Sequence, residues 1–285
     1  MKKIIDAHIH YSKIASFQST AENNSNVDYS FEGLTKEFRE SNVVLGIAMG
    51  LSETTVNGFP DRLAETPMGI DLDIQLPNTI ALCPGINPYQ LSNDALSELE
   101  KQLTSSRVVG IKIYLGYYPF YAYDSVYGPI YELAKAYKLP IVFHTGDTYS
   151  NRGLLKYAHP LTLDEVAVEH RDITFMMAHF GDPWVLDGAE VVYKNENMYA
   201  DLSGLIVGTS KTIKKHQKSR FLNHLLHAIT YCDSYEKLVF GTDWPLVSQK
   251  AYIELMKEII PDEHHDSFFY GNACRVFPKL EKLLS

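Results

Sequence analysis

Ile4-Ile5-Asp6-Ala7-His8-Ile9-His10 closes the first apolar run of the chain, and its reading decides the fold. The pattern is that of a β-strand. Strand side chains alternate between faces, so Asp6, His8 and His10 are expected on one side. Two imidazoles two residues apart can meet one small object, and a divalent metal suits them. A His-x-His pair also occurs as ordinary surface or core histidine. What separates the two readings is the rest of the chain, where other apolar runs also finish on His or Asp.

Outward from this stretch, strand and helix alternate. Strand patterns cover Val43–Met49, Thr79–Ile86, Val108–Tyr114, Pro140–His144, Ile173–Ala178, Met198–Leu202 and Leu238–Asp243. Helical patterns cover Phe31–Glu40, Ser92–Thr104, Val126–Tyr137, Leu161–His170, Trp184–Lys194, Ser210–Tyr231, Gln249–Ile260 and Asp262–Leu284. Ser92 or Asn93 offers an N-cap, and Thr162 before Glu165 reads as a capping box. Ser12–Ser30 reads as a long polar loop. Leu51–Leu76, broken by Pro60 and Pro67, reads as an irregular insertion with room for one short helix. Eight strand–helix units imply parallel strands, right-handed crossovers and cover on both faces. In 285 residues without a linker or short repeat, they predict one (β/α)8 barrel domain over residues 1–285, with loop insertions on its C-terminal face. A doubly wound open sheet is the alternative.

Composition narrows the function. A 45% hydrophobic, 21% charged chain is ordinary globular material. Its net charge of -9 argues against nucleic acid or anionic membrane as partner and leaves a small-molecule substrate. Cys83, Cys232 and Cys274 are scattered, which suggests neither a disulfide framework nor a zinc knuckle but buried thiols in a reducing compartment. Asp6 and His8 interrupt any secretory signal, and no apolar run is long enough to span a bilayer, so a cytoplasmic enzyme is expected.

In a barrel every strand's C-terminal end reaches one rim, where the chemistry sits. Strand one brings His8 and His10 there, strand four Lys112 and Tyr114, strand five His144, strand six His179 and strand eight Asp243. Polar groups closing apolar strands are costly unless paired or metal-bound. Three imidazoles and a carboxylate suit zinc or a similar ion with one open position for water, whose pKa falls to about 7. Asp243 could ligate and also accept a proton, and a further histidine could shuttle one. Tyr114, Tyr117, Tyr118, Tyr121 and Tyr123 follow strand four. They read as loop packing, as a homodimer contact, or as a pocket wall for a cyclic or aromatic substrate. His159, His170, His216, His224, His227, His264 and His265 lie off the strand ends and read as surface or packing residues.

Asp6-Ala7-His8-Ile9-His10, Gly110-Ile111-Lys112-Ile113, Phe143-His144-Thr145-Gly146, Ala178-His179-Phe180-Gly181, Gly241-Thr242-Asp243-Trp244-Pro245 and Gly271-Asn272-Ala273, in this order, resemble the amidohydrolase superfamily. The likeness is to its amidohydrolase-related branch, which holds metal-dependent hydrolases and the aminocarboxymuconate-semialdehyde and resorcylate-type decarboxylases. It implies that His8, His10, His144 and Asp243 hold one divalent ion, zinc first and manganese second, and that His179 is the catalytic acid/base. Trp244-Pro245 would shape the turn after the aspartate, and Asn272 would pack the last helix on the barrel base. In binuclear relatives a lysine placed like Lys112 is carboxylated and bridges two metals; we read Lys112 instead as pairing with a rim acid or a substrate carboxylate. Asp6 is expected to orient its neighbours rather than bind metal. Two activities fit: hydrolysis of an amide, ester or lactone through a metal-bound hydroxide, or non-oxidative decarboxylation of a small cyclic or aromatic acid. Specificity is expected in loops 11–30, 51–76 and 117–124, which carry no readable code.

Overall fold

The computed structural model describes residues 2–11, 15–50, 76–218 and 220–284. Among these, the apolar runs form nine short strands: β1 (Ile4–Ile9), β2 (Val43–Met49), β3 (Ile80–Cys83), β4 (Gly85–Ile86), β5 (Ile111–Ile113), β6 (Ile141–Phe143), β7 (Phe175–Met177), β8 (Met198–Asp201) and β9 (Leu238–Val239). Two parallel ladders result, β1-β2-β3 and β4 through β9. β3 and β4 are one stave interrupted at Pro84, which has no N–H to give. The stave continues through the break, because Val109 N donates to Leu82 O and Lys112 N to Pro84 O. The ring closes where Ala7 N meets Phe240 O at 2.9 Å and His10 N meets Trp244 O at 2.7 Å. Eight parallel staves closed in this way are a (β/α)8 barrel, as the sequence predicts.

Period-two alternation sorts the side chains into two layers. Ile5, Ala7, Leu45, Ile47, Cys83, Val142, Met176 and Val239 fill the barrel, plugged by Val276, Phe277 and Leu280. Ile4, Ile9, Ile111, Ile113, Ile141, Phe143 and Phe175 face the helical jacket. The helices are α1 (Ala15–Thr20), α2 (Phe31–Ser41), α3 (Asn93–Leu103), α4 (Gly128–Tyr137), α5 (Thr162–Glu169), α6 (Val185–Lys194), α7 (Ser210–Lys218), α8 (Asn223–Cys232), α9 (Gln249–Ile259), α10 (Asn272–Val276) and α11 (Leu280–Leu284). Asn272 ties α10 to the barrel base, its Nδ2 donating to Tyr235 O and Leu238 O.

Several expectations are corrected. Strict alternation along β1 fails: Ile5 and Ala7 face inward, but Ile9 faces the jacket with Ile4. The β1–β2 register shifts between Asp6 and Ile9. This bulge moves the strand's phase by one residue. It turns His8 and His10 inward and leaves Asp6 on the jacket side, against Gln249 of α9. Within Ser12–Ser30, expected as loop, lie α1 and a π-helical turn over Ala21–Ser25. Phe17 and Ala21 supply its buried face. Ser210–Tyr231 is two helices, separated where Arg220 takes a left-handed φ of 59°. Asp262–Leu284 is short 3-10, π and α pieces rather than one helix. Ser92 does cap α3, accepting from Ala95 N, but Thr162 caps nothing ahead of it and donates back to His159 O. Residues 51–75 of the expected insertion lie outside the described residues. Cys83 and Cys232 are buried and Cys274 is half-buried, all of them free. Among the described residues no helix is long and apolar enough to cross a membrane.

Candidate active site

The bulge in β1 delivers His8 and His10 to the C-terminal mouth of the barrel. Asp243 arrives there from the turn after β9, its backbone amide held by His8 O at 2.8 Å. His10 Nε2 lies 2.9 Å and His8 Nε2 3.6 Å from Asp243 Oδ1. Among the described residues, His8 Nε2 and Asp243 Oδ1 are buried without a regular hydrogen bond. Two such atoms 3.6 Å apart, with His10 Nε2 at 2.9 Å from the same oxygen, suit a cation among them. Among the described residues, His8, His10 and Asp243 form one cluster able to hold a metal ion, and His8, His179 and Asp201 a second that shares His8.

His144 and His179 flank this cluster without joining the first triad. Their ring centroids are 5.0 Å apart, and His179 is 4.9 Å from His8. His144 Nε2 faces Asp147 O at 2.9 Å, so that nitrogen carries the proton and Nδ1 keeps the lone pair. His179 follows β7 in a left-handed turn, with φ of 61° there and 50° at Phe180. Asp243 is left-handed too, at 62°. Such backbone persists where surrounding contacts hold it, and it gathers at functional sites. Gly204, at φ 68°, passes so close that a Cβ would stand 2.8 Å from His179 Nδ1 and 2.9 Å from Asp243 Oδ2.

Burial governs the charges. It pushes His8 down to about 3, aided by Lys112 and opposed by Asp201 and Asp243. Burial also lowers His10, and burial with neighbouring His179 lowers His144 well below the ordinary range. These rings are neutral near pH 7, the form in which imidazole donates a lone pair. For Asp243 burial opposes ionisation, but His10, His179 and His8 outweigh it and hold the carboxyl low. Asp201 is likewise held low against burial, by His8, His179 and Ser203.

Lys112 does not pair with a rim acid. It is fully buried, and among the described residues its Nζ has no hydrogen-bond partner. It stands 5.1 Å from the centre of the Tyr114 ring, and burial lowers it to about 8. The tyrosine cluster divides. Tyr114, Tyr117 and Tyr118 are buried with Phe17 and Leu246. Tyr117 meets the His144 ring at 4.8 Å, and Phe17 of α1 stacks on His10 at 4.6 Å. Tyr121 and Tyr123 stack on each other further out.

Sequence reasoning missed Asp201, Ser203 and Phe17. Asp201 Oδ2 takes His8 Nδ1 at 2.9 Å. Its signal was present: an aspartate ending an apolar strand, as Asp243 does. Phe17 sat in a stretch read as polar loop. Asp6 does orient its neighbours, from outside the barrel. Its carboxylate accepts from His8 N, Thr242 N, Thr242 Oγ1 and Gln249 Nε2. It thereby braces both the bulge that aims His8 and the turn that carries Asp243. Burial pushes this carboxyl up to about 7 despite those bonds.

No curated protein matches the chain. Solved structures do. The 2,6-dihydroxybenzoate decarboxylase from Rhizobium is 16% identical, covering 99% of this chain and 100% of its own, with a TM-score of 0.67. A probable 2-pyrone-4,6-dicarboxylic acid hydrolase from Acinetobacter baumannii is 15% identical over 97% and 100%, with a TM-score of 0.64. An amidohydrolase from Burkholderia multivorans with bound zinc is 14% identical over 97% and 99%, with a TM-score of 0.63. At these identities the likeness is one of fold. The amidohydrolase family model, by contrast, matches the sequence itself from residue 5 to 279, across every stave that contributes to this mouth, and the chain belongs to the amidohydrolase family.

Proposed function

We propose that this chain is a metal-dependent hydrolase that opens an amide, ester or lactone bond in a small-molecule substrate. The observation that carries the proposal is the buried meeting of His8, His10 and Asp243, with His8 Nε2 and Asp243 Oδ1 unsatisfied among the described residues and His179 alongside. His8, His10 and Asp243 would hold one divalent ion, zinc first and manganese second, with His144 Nδ1 as the fourth ligand. An ion there supplies Lewis-acid charge that polarises a carbonyl and makes water acidic near neutral pH. His179 is the acid/base, acting through Nε2 and standing beside the oxyanion as it develops. Asp243 relays the proton from attacking water to the leaving group. Lys112, with no acid of its own, and Tyr114 receive a substrate carboxylate. Phe17, Tyr117 and Leu246 keep water out, and the two aromatic rings offer flat apolar faces to a ring. The free cysteines suit a cytoplasmic setting.

The aromatic wall and the unpaired Lys112 favour a second reading on the same residues, decarboxylation of a cyclic or aromatic acid. His179 Nε2 would then deliver a proton to the carbon that loses carbon dioxide. The test is a screen of metal-loaded protein against lactones, esters, N-acyl compounds and aromatic carboxylates, following both acid production and carbon dioxide. Acid without carbon dioxide supports the hydrolase. Carbon dioxide release moves the assignment to the decarboxylase. Turnover of none of these classes by metal-replete protein overturns both.

A further inference from the structure

Asp201 and Ser203 touch no open part of the mouth, since both are fully buried. They nevertheless connect two of its histidines. Asp201 Oδ2 meets His8 Nδ1 at 2.9 Å. Asp201 Oδ1 accepts from His179 N at 3.0 Å, from Ser203 N at 3.0 Å and from Ser203 Oγ. Ser203 Oγ and Ser203 O stand 3.0 and 3.1 Å from His179 Nδ1.

The hydrogens in this arrangement can be counted. A serine hydroxyl has one proton, and Ser203 gives it to the Asp201 carboxylate. Toward His179 the hydroxyl therefore only accepts, and a backbone carbonyl can do nothing else. The shared proton between Ser203 and His179 must come from Nδ1 of the ring. The same logic applies to His8, whose Nδ1 faces the other oxygen of a carboxyl group that already accepts three hydrogen bonds. One aspartate thus leaves the lone pair at Nε2 on both rings. Its Oδ1 also pins the amide of His179 in the left-handed turn that aims the ring.

We propose that Asp201 and Ser203 form a single positioning unit that fixes the Nδ1–H tautomer of His8 and of His179 together. The unit presents one Nε2 to a metal ion and the other to the proton-transfer step. The proposal rests on the reading above only for what the two Nε2 atoms then do; the tautomers themselves belong to the metal-free chain. Neither residue touches substrate in this arrangement, and both act through the histidines.

The experiment is nitrogen-15 NMR of histidine-labelled, metal-free protein near pH 7.5, with the His8 and His179 signals assigned from the H8N and H179N variants. Wild type is expected to show both rings protonated at Nδ1. An Nε2–H tautomer at either ring overturns the proposal. Asp201→Asn keeps the shape but replaces an acceptor with a donor on one side, so at least one ring should lose its Nδ1–H form. Zinc affinity, read by competition with a chelating dye, should fall about 10- to 100-fold, as when the outer partner of a ligating histidine is removed. Both tautomers retained, with affinity within twofold of wild type, overturns the proposal. Ser203→Ala is the milder variant should Asp201→Asn not fold. It should leave His8 unchanged and, because Ser203 O still accepts, keep His179 protonated at Nδ1 while the nitrogen-15 shift of that Nδ1 moves with loss of the hydroxyl acceptor. An Nε2–H His179 overturns the proposal, and a His179 signal identical to wild type removes the Ser203 hydroxyl from the unit. Correct tautomers in a chain that binds no zinc would sink the metal-dependent reading while leaving this unit intact.

Discussion

Lys112→Met should make the protein more stable and less active, and the size of the gain follows from the site. The ammonium is fully buried with no hydrogen-bond partner among the described residues. Its attraction to Asp201 and Asp243 only partly offsets burial, and its pKa falls from 10.5 to about 8. That difference corresponds to a folding cost of about 3 kcal/mol at neutral pH. Methionine is similar in length, apolar and adaptable, so it removes the charge without opening a large cavity. For a chain of this size the gain is on the order of 6 °C in Tm. The pH dependence identifies the cause. Below pH 8 the lysine is charged in both states, and the full cost is present. Between about 8 and 10.5 the unfolded chain binds a proton that the folded chain has lost, so wild type gains on the variant as pH rises. The stability gap should fall to roughly half by about pH 9.5 and close near 10.5. Urea denaturation of both metal-free proteins across this range measures it. A variant no more stable than wild type at pH 7, or a gap that does not narrow above pH 8, refutes the idea that an unpaired buried charge is held there at the expense of stability.

Metal analysis of protein expressed with ample zinc and manganese should give about one divalent ion per chain; near-zero occupancy removes the single-site reading. Asp243→Ala should abolish turnover and weaken metal binding, and an active variant refutes both roles given to that carboxylate. His179→Asn should remove activity while leaving the ion bound, whereas loss of the ion would make His179 a ligand. Gly204→Ala forces a left-handed alanine, at about 1–2 kcal/mol, and pushes a methyl against His179 and Asp243. Turnover should fall on the order of 100-fold with the fold intact, and wild-type turnover would show that the close approach at Gly204 does not position those two groups.

The barrel was legible because its signal is repeated: eight apolar runs of strand length, seven of them followed by a helical pattern, leave few topologies. Five of the candidate site residues were legible for a related reason, since His8, His10, His144, His179 and Asp243 each interrupt or end an apolar run where polarity has a cost. What sequence could not supply is phase. Period-two counting places Asp6 beside His8, and the bulge between Asp6 and Ile9 puts them on opposite faces. That displacement has consequences for the chemistry. Were the strand regular, bringing His8 inward would bring Asp6 inward as well, and a second carboxylate would compete for the same cation. The bulge instead hands Asp6 to Thr242 and Gln249, outside the barrel. The anionic partner of His8 then comes from Asp201, more than 190 positions away, on the far nitrogen of the ring. His8 therefore has its lone pair on the Asp243 side and its proton on the Asp201 side, an arrangement that needs the irregular strand and the distant aspartate together. Neither is visible in the local motif, which is why Asp6-x-His8-x-His10 points to the candidate site and assigns its carboxylate to the wrong face.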